Sequence, residues 1–156
     1  EVGVMNIGII SINSAFPAQT EKENILGLNG KLSENGLIIS ENQALSIAEA
    51  RESSLQSNGR IEFSGKTAEK IILEFGKSAC IDRDTFADTV CELIDIFYYL
   101  RNGYPETRLS DDRLISVMRE CFDNECAGDT DLLADAVPDR LAGKRKKSPT
   151  EPESYE

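Results

Sequence analysis

Apolar residues recur every three or four positions along most of the chain, which is the spacing of amphipathic helices. The pattern predicts six helices, over about residues 20–35, 40–57, 68–78, 82–102, 110–123 and 129–142. Gly36 suits the end of the first helix, and Ser40 with Gln43 forms a capping box that opens the second. Ser110 caps the fifth helix, and Pro138 is expected to kink or restart the sixth. The expected fold is therefore mostly α, a compact bundle of about six helices.

Two stretches depart from helical spacing. Residues 1–18 are rich in β-branched side chains, which favours an ordered arm or a strand. In "GRIEFSG", residues 59–65, the alternation of Ile61 and Phe63 predicts a short strand that is tucked onto the core and pairs with the N-terminal segment. The alternative is a loop that presents Arg60 and Glu62 to a ligand. The bundle is thus expected to carry at most a small two-stranded β accessory.

The composition divides the chain into three parts. We expect an N-terminal arm or strand over residues 1–19, a single helical domain over residues 20–143 and a disordered tail over residues 144–156. The tail, "KRKKSPTEPESYE", has no apolar rhythm and cannot bury enough surface to order itself. Its "KRKK" run has two interpretations, a basic address or docking patch and a solvated end of the chain.

The predicted helix over residues 82–102 has the widest apolar arc. With about 100° between successive residues, five large side chains fall within about 40° of one line. They are Phe86, Val90, Leu93, Phe97 and Leu100. Further apolar residues on both sides widen the arc to roughly 220° by the same count. A helix with so wide an apolar arc is expected near the centre of the bundle.

The remaining strip of this helix is acidic. It holds Asp88, Glu92 and Asp95 together with Tyr99, and no lysine or arginine lies among them. These like charges repel one another. They lie beyond the first turn of the predicted helix, so the positive helix N-terminus, which favours carboxylates within that turn, does not stabilise them. An exposed tyrosine beside carboxylates suits a protein-binding hot spot. We therefore expect these four residues to bind a partner, the alternative being an ordinary solvated helix edge.

The charge and the residue types narrow the possible chemistry. The chain has 17 basic and 28 acidic residues and a formal net charge of −11, which disfavours nucleic acid and membranes as partners. Histidine is absent, which excludes Ser-His and Cys-His catalytic pairs and most zinc sites. The four cysteines show no C-x-x-C spacing and are expected to be buried free thiols in a reducing cytoplasm. The apolar N-terminal run is too short to span a bilayer and lacks the basic residues of a signal peptide.

A second acidic pair, Glu49 and Glu52, lies on the predicted helix over residues 40–57. An E-x-x-E helix that faces an E-x-x-D helix can hold magnesium, because hard cations take oxygen ligands from several carboxylates. With "ELIDIFYYL", residues 92–100, this arrangement resembles the all-α nucleoside triphosphate pyrophosphohydrolases, in which magnesium binds the triphosphate and activates water. The resemblance implies that Glu49, Glu52, Glu92 and Asp95 are metal ligands. Residues 53–91 separate the two pairs here, a longer gap than that family keeps.

A second resemblance covers residues 36–142. The stretches "NGRIEFSG" (58–65), "ELIDIFYYLRN" (92–102), "DDRLISVMRECFD" (111–123) and "CAGD" (126–129) are similar to a family of small uncharacterised proteins of Firmicutes, mainly Clostridia, that carries a domain of unknown function. The resemblance implies an intracellular bacterial protein, and it implies a protein partner, since members are encoded beside another uncharacterised protein. It supplies no activity, no cofactor and no catalytic residue.

The sequence thus favours a non-enzymatic cytoplasmic interaction protein that needs no cofactor and binds a protein partner. The alternative is a magnesium-dependent nucleoside triphosphate pyrophosphohydrolase. The oligomeric state is left open, because wide apolar arcs are satisfied either within one bundle or across a dimer.

Overall fold

The computed structural model describes residues 18–143, and this part of the chain is a bundle of six helices without a β-strand. They are α1 (Ala18–Leu26), α2 (Glu41–Ser57), α3 (Lys66–Phe75), α4 (Phe86–Gly103), α5 (Asp111–Asp123) and α6 (Leu133–Leu141). The predicted mostly α bundle is confirmed. Residues 1–17 of the arm predicted over residues 1–19, and the whole tail predicted over residues 144–156, lie outside the described residues. Residues 18 and 19 of the predicted arm belong to α1. None of the described helices is long and apolar enough to cross a membrane.

Helix α4 is the centre of the bundle, as its wide apolar arc predicts. It packs against α2, α3 and α6, while α1 covers α2, and α5 packs between α3 and α6. The five large side chains of its predicted core stripe are all buried, from Phe86 at the start to Leu100 near the end. Because three helices cover its apolar arc, only one strip of α4 is left for solvent.

The capping residues fix the helix starts that the sequence predicts. Ser40 Oγ accepts the backbone N–H of Gln43 at 3.2 Å, and Gln43 Oε1 accepts the backbone N–H of Ser40 at 2.9 Å. Ser110 Oγ accepts the backbone N–H of Arg113 at 3.2 Å in the same way. Gly36 adopts a left-handed φ of 77°, which a glycine reaches at no steric cost.

The single helix predicted over residues 20–35 is wrong. Helix α1 ends at Leu26, and the chain continues through a helical turn (Asn29–Leu32) and a 3-10 turn (Ser33–Asn35). Gly27 and Gly30 weaken the helix in this region. Asn29 stabilises the new direction, since its side chain donates to the carbonyl oxygen of Ile39 at 2.9 Å and accepts the Ile39 N–H at 2.8 Å.

Helices α4 and α6 begin later than predicted because a 3-10 turn precedes each of them. Asp82 Oδ1 accepts the N–H of Asp84 at 2.9 Å, and Asp129 Oδ1 accepts the N–H of Asp131 at 2.9 Å. Such local side-chain bonds compete with the helical hydrogen-bond ladder. Pro138 lies inside α6 and does not restart it.

The cysteines follow the prediction only in part. Cys121 and Cys126 are buried, whereas Cys91 is half-buried and Cys80 is exposed, and all four are free thiols. Cys80 lies in the connection between α3 and α4, where its thiol donates to the carbonyl oxygen of Asp123 at 3.7 Å and stays exposed. The prediction of a buried thiol is therefore wrong for Cys80.

Candidate functional site

The acidic strip, defined here as Asp88, Glu92, Asp95 and Tyr99, lies along the solvent side of α4. All four side chains are exposed, and Tyr99 is 63% exposed. Within residues 18–143, no ion pair joins the three carboxylates to a lysine or an arginine. The strip is thus exposed and has no ion pair within the described residues. The prediction that all three carboxylates lie beyond the first helical turn is wrong for Asp88, because α4 begins at Phe86 and its positive N-terminus favours a carboxylate at that position. The role of the strip in binding stays a prediction.

Two hydroxyl groups mark the edges of the strip. Thr130 Oγ1 donates to Glu92 Oε1 at 2.6 Å from the turn before α6. On the other edge, Ser54 Oγ of α2 donates to Asp95 Oδ1 at 3.2 Å. Neutral hydroxyls orient the carboxylates but bring no positive charge to them. The strip therefore keeps its negative field.

Cys91 lies next to the strip and is held as a neutral thiol. Burial, followed by the neighbouring Asp88 and Glu92 carboxylates, raises its pKa to about 11. Since the thiolate is the nucleophile, a thiol with this pKa is chemically inert near neutral pH. The strip is therefore a surface of charge and hydrogen-bond acceptors, without a reactive sulfur.

The four carboxylates of the magnesium hypothesis do not form a cage in this structure. Among the described residues, no three His, Cys, Asp or Glu side chains are grouped so that they could hold a metal ion. Helices α2 and α4 do pack together, but Asp95 meets Ser54. Residues two apart on a helix project about 200° from each other, so Glu52 points away from that contact. Glu49, five residues before Ser54, projects about 140° away by the same count.

Residues 59–65 form a loop, which we call the 59–65 loop, and the predicted strand tucked onto the core is wrong. Ile61 is 66% exposed and Phe63 is 80% exposed, while Gly65 is buried. Glu62, between the two apolar residues, turns inward and its side chain is 21% exposed. Apolar and polar residues do alternate in this loop. The apolar side chains face solvent and Glu62 faces the core, which is the opposite of the predicted arrangement.

A buried arginine explains this orientation. Arg51 of α2 is completely buried, and its Nη2 donates to the carbonyl oxygens of Ser64 at 2.7 Å and Glu62 at 3.3 Å. The same nitrogen lies 3.6 Å from Glu62 Oε1. A buried charge must be paired and hydrogen-bonded, and the inward carbonyls and carboxylate of the loop supply both.

Tyr98 of α4 completes the attachment of the 59–65 loop. Its hydroxyl donates to Glu62 Oε1 at 2.6 Å. Burial, followed by the Glu62 carboxylate, raises the pKa of Tyr98 above its ordinary value, so the hydroxyl keeps its proton and remains a donor. Helices α2 and α4 thus hold one loop carboxylate between them.

Glu21 of α1 is a second buried ionisable residue that the sequence does not reveal. It is 1% exposed, and neither carboxylate oxygen makes a hydrogen bond within the described part of the chain. Burial, with a smaller contribution from Glu69, raises its pKa to about 8, although Arg51 acts in the opposite direction. The carboxyl group lies against Gly65, where an added Cβ would be only 1.7 Å from Glu21 Oε1. Gly65 is therefore required for α1 and the loop to approach.

Sequence reasoning missed Arg51 and Glu21, although a weak signal exists for both. Arg51 lies on the same helical stripe as Ile47 and Leu55, which are buried core residues of α2. Glu21 precedes the buried Ile25 by one helical turn. Charged residues on an apolar stripe are candidates for buried ion pairs, since Arg and Glu are almost never fully buried without partners.

The fold and the site together define the class of protein: a small all-α bundle with an acidic helix face and a loop pinned by a buried arginine. The chain belongs to the family of unknown function DUF6323, which it matches over residues 24–150. This match extends beyond the resemblance over residues 36–142 at both ends. Comparison with curated proteins and comparison with solved structures gave no match.

Proposed function

We propose that the protein is a non-enzymatic interaction protein that binds a protein partner through the acidic strip. The observation that supports this most is the exposure of three carboxylates on one helix, without an ion pair in the described residues, beside the 63% exposed Tyr99. Basic residues of a partner would relieve the repulsion and speed the encounter. An intracellular setting in a bacterium of the Firmicutes is part of the same proposal.

The position of the strip on α4 suits such a role. Helix α4 is fixed by the buried contacts of its apolar arc with three neighbouring helices. A rigid helix keeps the backbone positions of the strip fixed, so less conformational entropy is lost on binding than from a flexible segment. Substitutions on the strip also leave the core unchanged, which makes them clean tests of binding.

The alternative proposal, a magnesium-dependent nucleoside triphosphate pyrophosphohydrolase, has less support. The packing of α2 against α4 favours it, because it brings the helices of the two acidic pairs side by side. The contact between Asp95 and Ser54 disfavours it, because the carboxylates of Glu49 and Glu52 project elsewhere. A nucleotide panel assayed for pyrophosphate release with magnesium tests this alternative.

The interaction proposal is tested by affinity purification of the tagged full chain from host cells, with bound proteins quantified by mass spectrometry. The test variant is Asp88→Lys with Glu92→Lys, since both residues are exposed and the Asp88 side chain makes no hydrogen bond to residues 18–143. The control is Glu106→Lys, an exposed carboxylate beyond the end of α4.

We expect a specific partner that is lost from the strip variant and retained by the control. The proposal fails if no specific protein is enriched, or if the partner binds the strip variant as well as the wild type.

A further inference from the structure

Two large apolar side chains stand exposed on the 59–65 loop. Ile61 is 66% exposed and Phe63 is 80% exposed. The helices of the bundle, in contrast, bury most of their large apolar residues. A soluble domain that exposes neighbouring large apolar residues presents a contact surface for another molecule. The loop is thus a candidate element for recognition.

Hydrogen bonds from α2 and α4 hold the 59–65 loop in one conformation. Arg51 Nη2 bonds two of its carbonyl oxygens, Tyr98 bonds the Glu62 carboxylate, and the Arg60 N–H donates to the carbonyl oxygen of Leu55 at 2.8 Å. The inward groups are fixed by these bonds, so Ile61 and Phe63 are fixed in their outward positions. A contact element that is ordered before binding loses little entropy when it binds.

The loop lies beside the acidic strip. Three contacts join α4 to the end of α2 and the loop: Asp95 with Ser54, Tyr98 with Glu62, and Asn102 with Asn58 at 2.6 Å. Their α4 members are spaced by three and four residues, so they form one stripe along the helix. Asp95 belongs to this stripe and to the acidic strip, and Tyr99 follows Tyr98. The 59–65 loop is therefore attached to α4 at Tyr98, next in sequence to Tyr99 and three residues from Asp95 of the acidic strip.

We propose that the 59–65 loop and the acidic strip together bind a basic amphipathic segment of the partner protein. The apolar side chains of that segment contact Ile61, Phe63 and Tyr99, and its lysines or arginines contact the three carboxylates. This inference rests on the proposed function and adds the chemistry of the partner.

Charge selects this occupant over two others. A membrane is disfavoured, because anionic lipid headgroups are repelled by the strip and by the net charge of −11. A second copy of the chain is disfavoured, because a two-fold contact through this surface would bring two acidic strips into one interface without basic residues to offset them. A segment that carries both apolar and basic side chains satisfies both halves of the surface.

The absence of tryptophan from the chain allows a direct test by fluorescence. Phe63→Trp in the full chain places a single indole on the loop, and Ile38→Trp is the matched control, since Ile38 is 76% exposed and lies before α2. The probes are a synthetic helical peptide of leucine and lysine, its counterpart of leucine and glutamate, and phosphatidylglycerol vesicles. Binding is followed by the emission maximum, which moves to shorter wavelength when the indole is covered.

We expect the lysine peptide to shift the emission of Phe63→Trp and not that of Ile38→Trp, with no shift from the glutamate peptide. Adding Asp88→Lys and Glu92→Lys should raise the Kd at least about tenfold, which corresponds to roughly 1.4 kcal/mol. The inference is overturned if the glutamate peptide binds equally well or if only vesicles shift the emission. It is also overturned if the emission maximum of Phe63→Trp shows, before any probe is added, that the indole is already covered. This holds whether or not dilution of the protein uncovers the indole.

Failure of this inference is distinguishable from failure of the proposed function. In the affinity purification, Ile61→Ser with Phe63→Ser should release the partner as the strip variant does. If the partner is lost only from the strip variant, the interaction proposal stands and the loop is not part of the interface. If the partner is retained by the strip variant, the interaction proposal itself fails.

Discussion

Arg51 Nη2 lies 2.7 Å from the carbonyl oxygen of Ser64, so a completely buried guanidinium of α2 holds the backbone of an exposed loop. This contact joins the core of the bundle to the candidate binding surface. It also determines which side chains of the 59–65 loop reach solvent, because the carbonyl groups and Glu62 are turned inward to meet the charge.

Replacing Arg51 should therefore destabilise the protein and loosen the loop. Arg51→Met leaves Glu62 and the loop carbonyls without their charged donor, and breaking such a buried pair costs about 3 kcal/mol. Urea unfolding measures the loss, and hydrogen exchange should show faster exchange of the Arg60 amide. Arg113→Met removes an exposed arginine and should change stability by less than about 0.5 kcal/mol. Equal stability of the two variants would contradict the role of Arg51.

A methyl group at position 65 should disrupt the contact between α1 and the loop. The φ of Gly65 is −93°, which alanine adopts without strain, so the effect of Gly65→Ala isolates the collision of its Cβ with Glu21. We expect a loss of about 2 kcal/mol in unfolding free energy. Gly30→Ala, where an added Cβ meets nothing within 4 Å, is the control and should be near neutral.

The double variant Gly65→Ala with Glu21→Ala tests the cause of that loss. Removing the carboxyl group makes room for the added methyl group, so the two substitutions should be less destabilising together than the sum of their separate effects. Additive effects would show that the collision with Glu21 is not the cause.

The buried Glu21 carboxyl predicts an unusual dependence of stability on pH. Its pKa rises from 4.5 to about 8 on folding, so between these values the folded protein keeps a proton that the unfolded chain has released. The protonated Glu21 carboxyl therefore adds to the free energy of unfolding, and this stabilisation is complete below pH 4.5. It is lost as the pH rises to about 8, by up to about 1.4 kcal/mol per pH unit.

The variant Glu21→Gln isolates this contribution, because an amide of similar shape does not titrate. Urea unfolding at several pH values between 5 and 8.5 should show that the wild type loses stability relative to the variant as the pH rises. Parallel curves for the two proteins would mean that Glu21 titrates near its ordinary pKa.

Magnesium should leave the thermal stability unchanged, since the described carboxylates form no cage. A site filled at 100 times its Kd would add about 2.7 kcal/mol to the free energy of unfolding and raise the Tm visibly. Differential scanning fluorimetry with and without millimolar magnesium makes the measurement. A rise in Tm that Glu49→Gln with Glu52→Gln abolishes would favour the pyrophosphohydrolase instead.

The helices were predictable because their signals are local. The capping box of Ser40 and Gln43 forms with both of its hydrogen bonds, and the apolar arc of α4 is buried against three neighbours. Each signal depends on residues within one or two turns of a helix, so no knowledge of the tertiary fold is needed. For the same reason, the exposed strip of α4 could be identified from the sequence.

The 59–65 loop was not predictable, because its orientation depends on a residue in another helix. Alternation of Ile61 and Phe63 normally indicates burial, and here Arg51 reverses it by attracting the carbonyls and the carboxylate between them. Arg51 and Glu21 were missed because charged side chains are rarely buried. The sequence signal that marks each of them is its position on the apolar stripe of its helix.

The central claim is that the acidic strip binds a protein partner, and the affinity of that partner for the strip variants tests it most directly. Isothermal titration calorimetry with the captured partner compares the wild type, Asp88→Lys with Glu92→Lys, and Glu106→Lys. We expect the strip variant to bind at least about tenfold more weakly and the control to bind as the wild type does. Equal Kd values for all three proteins would contradict the claim.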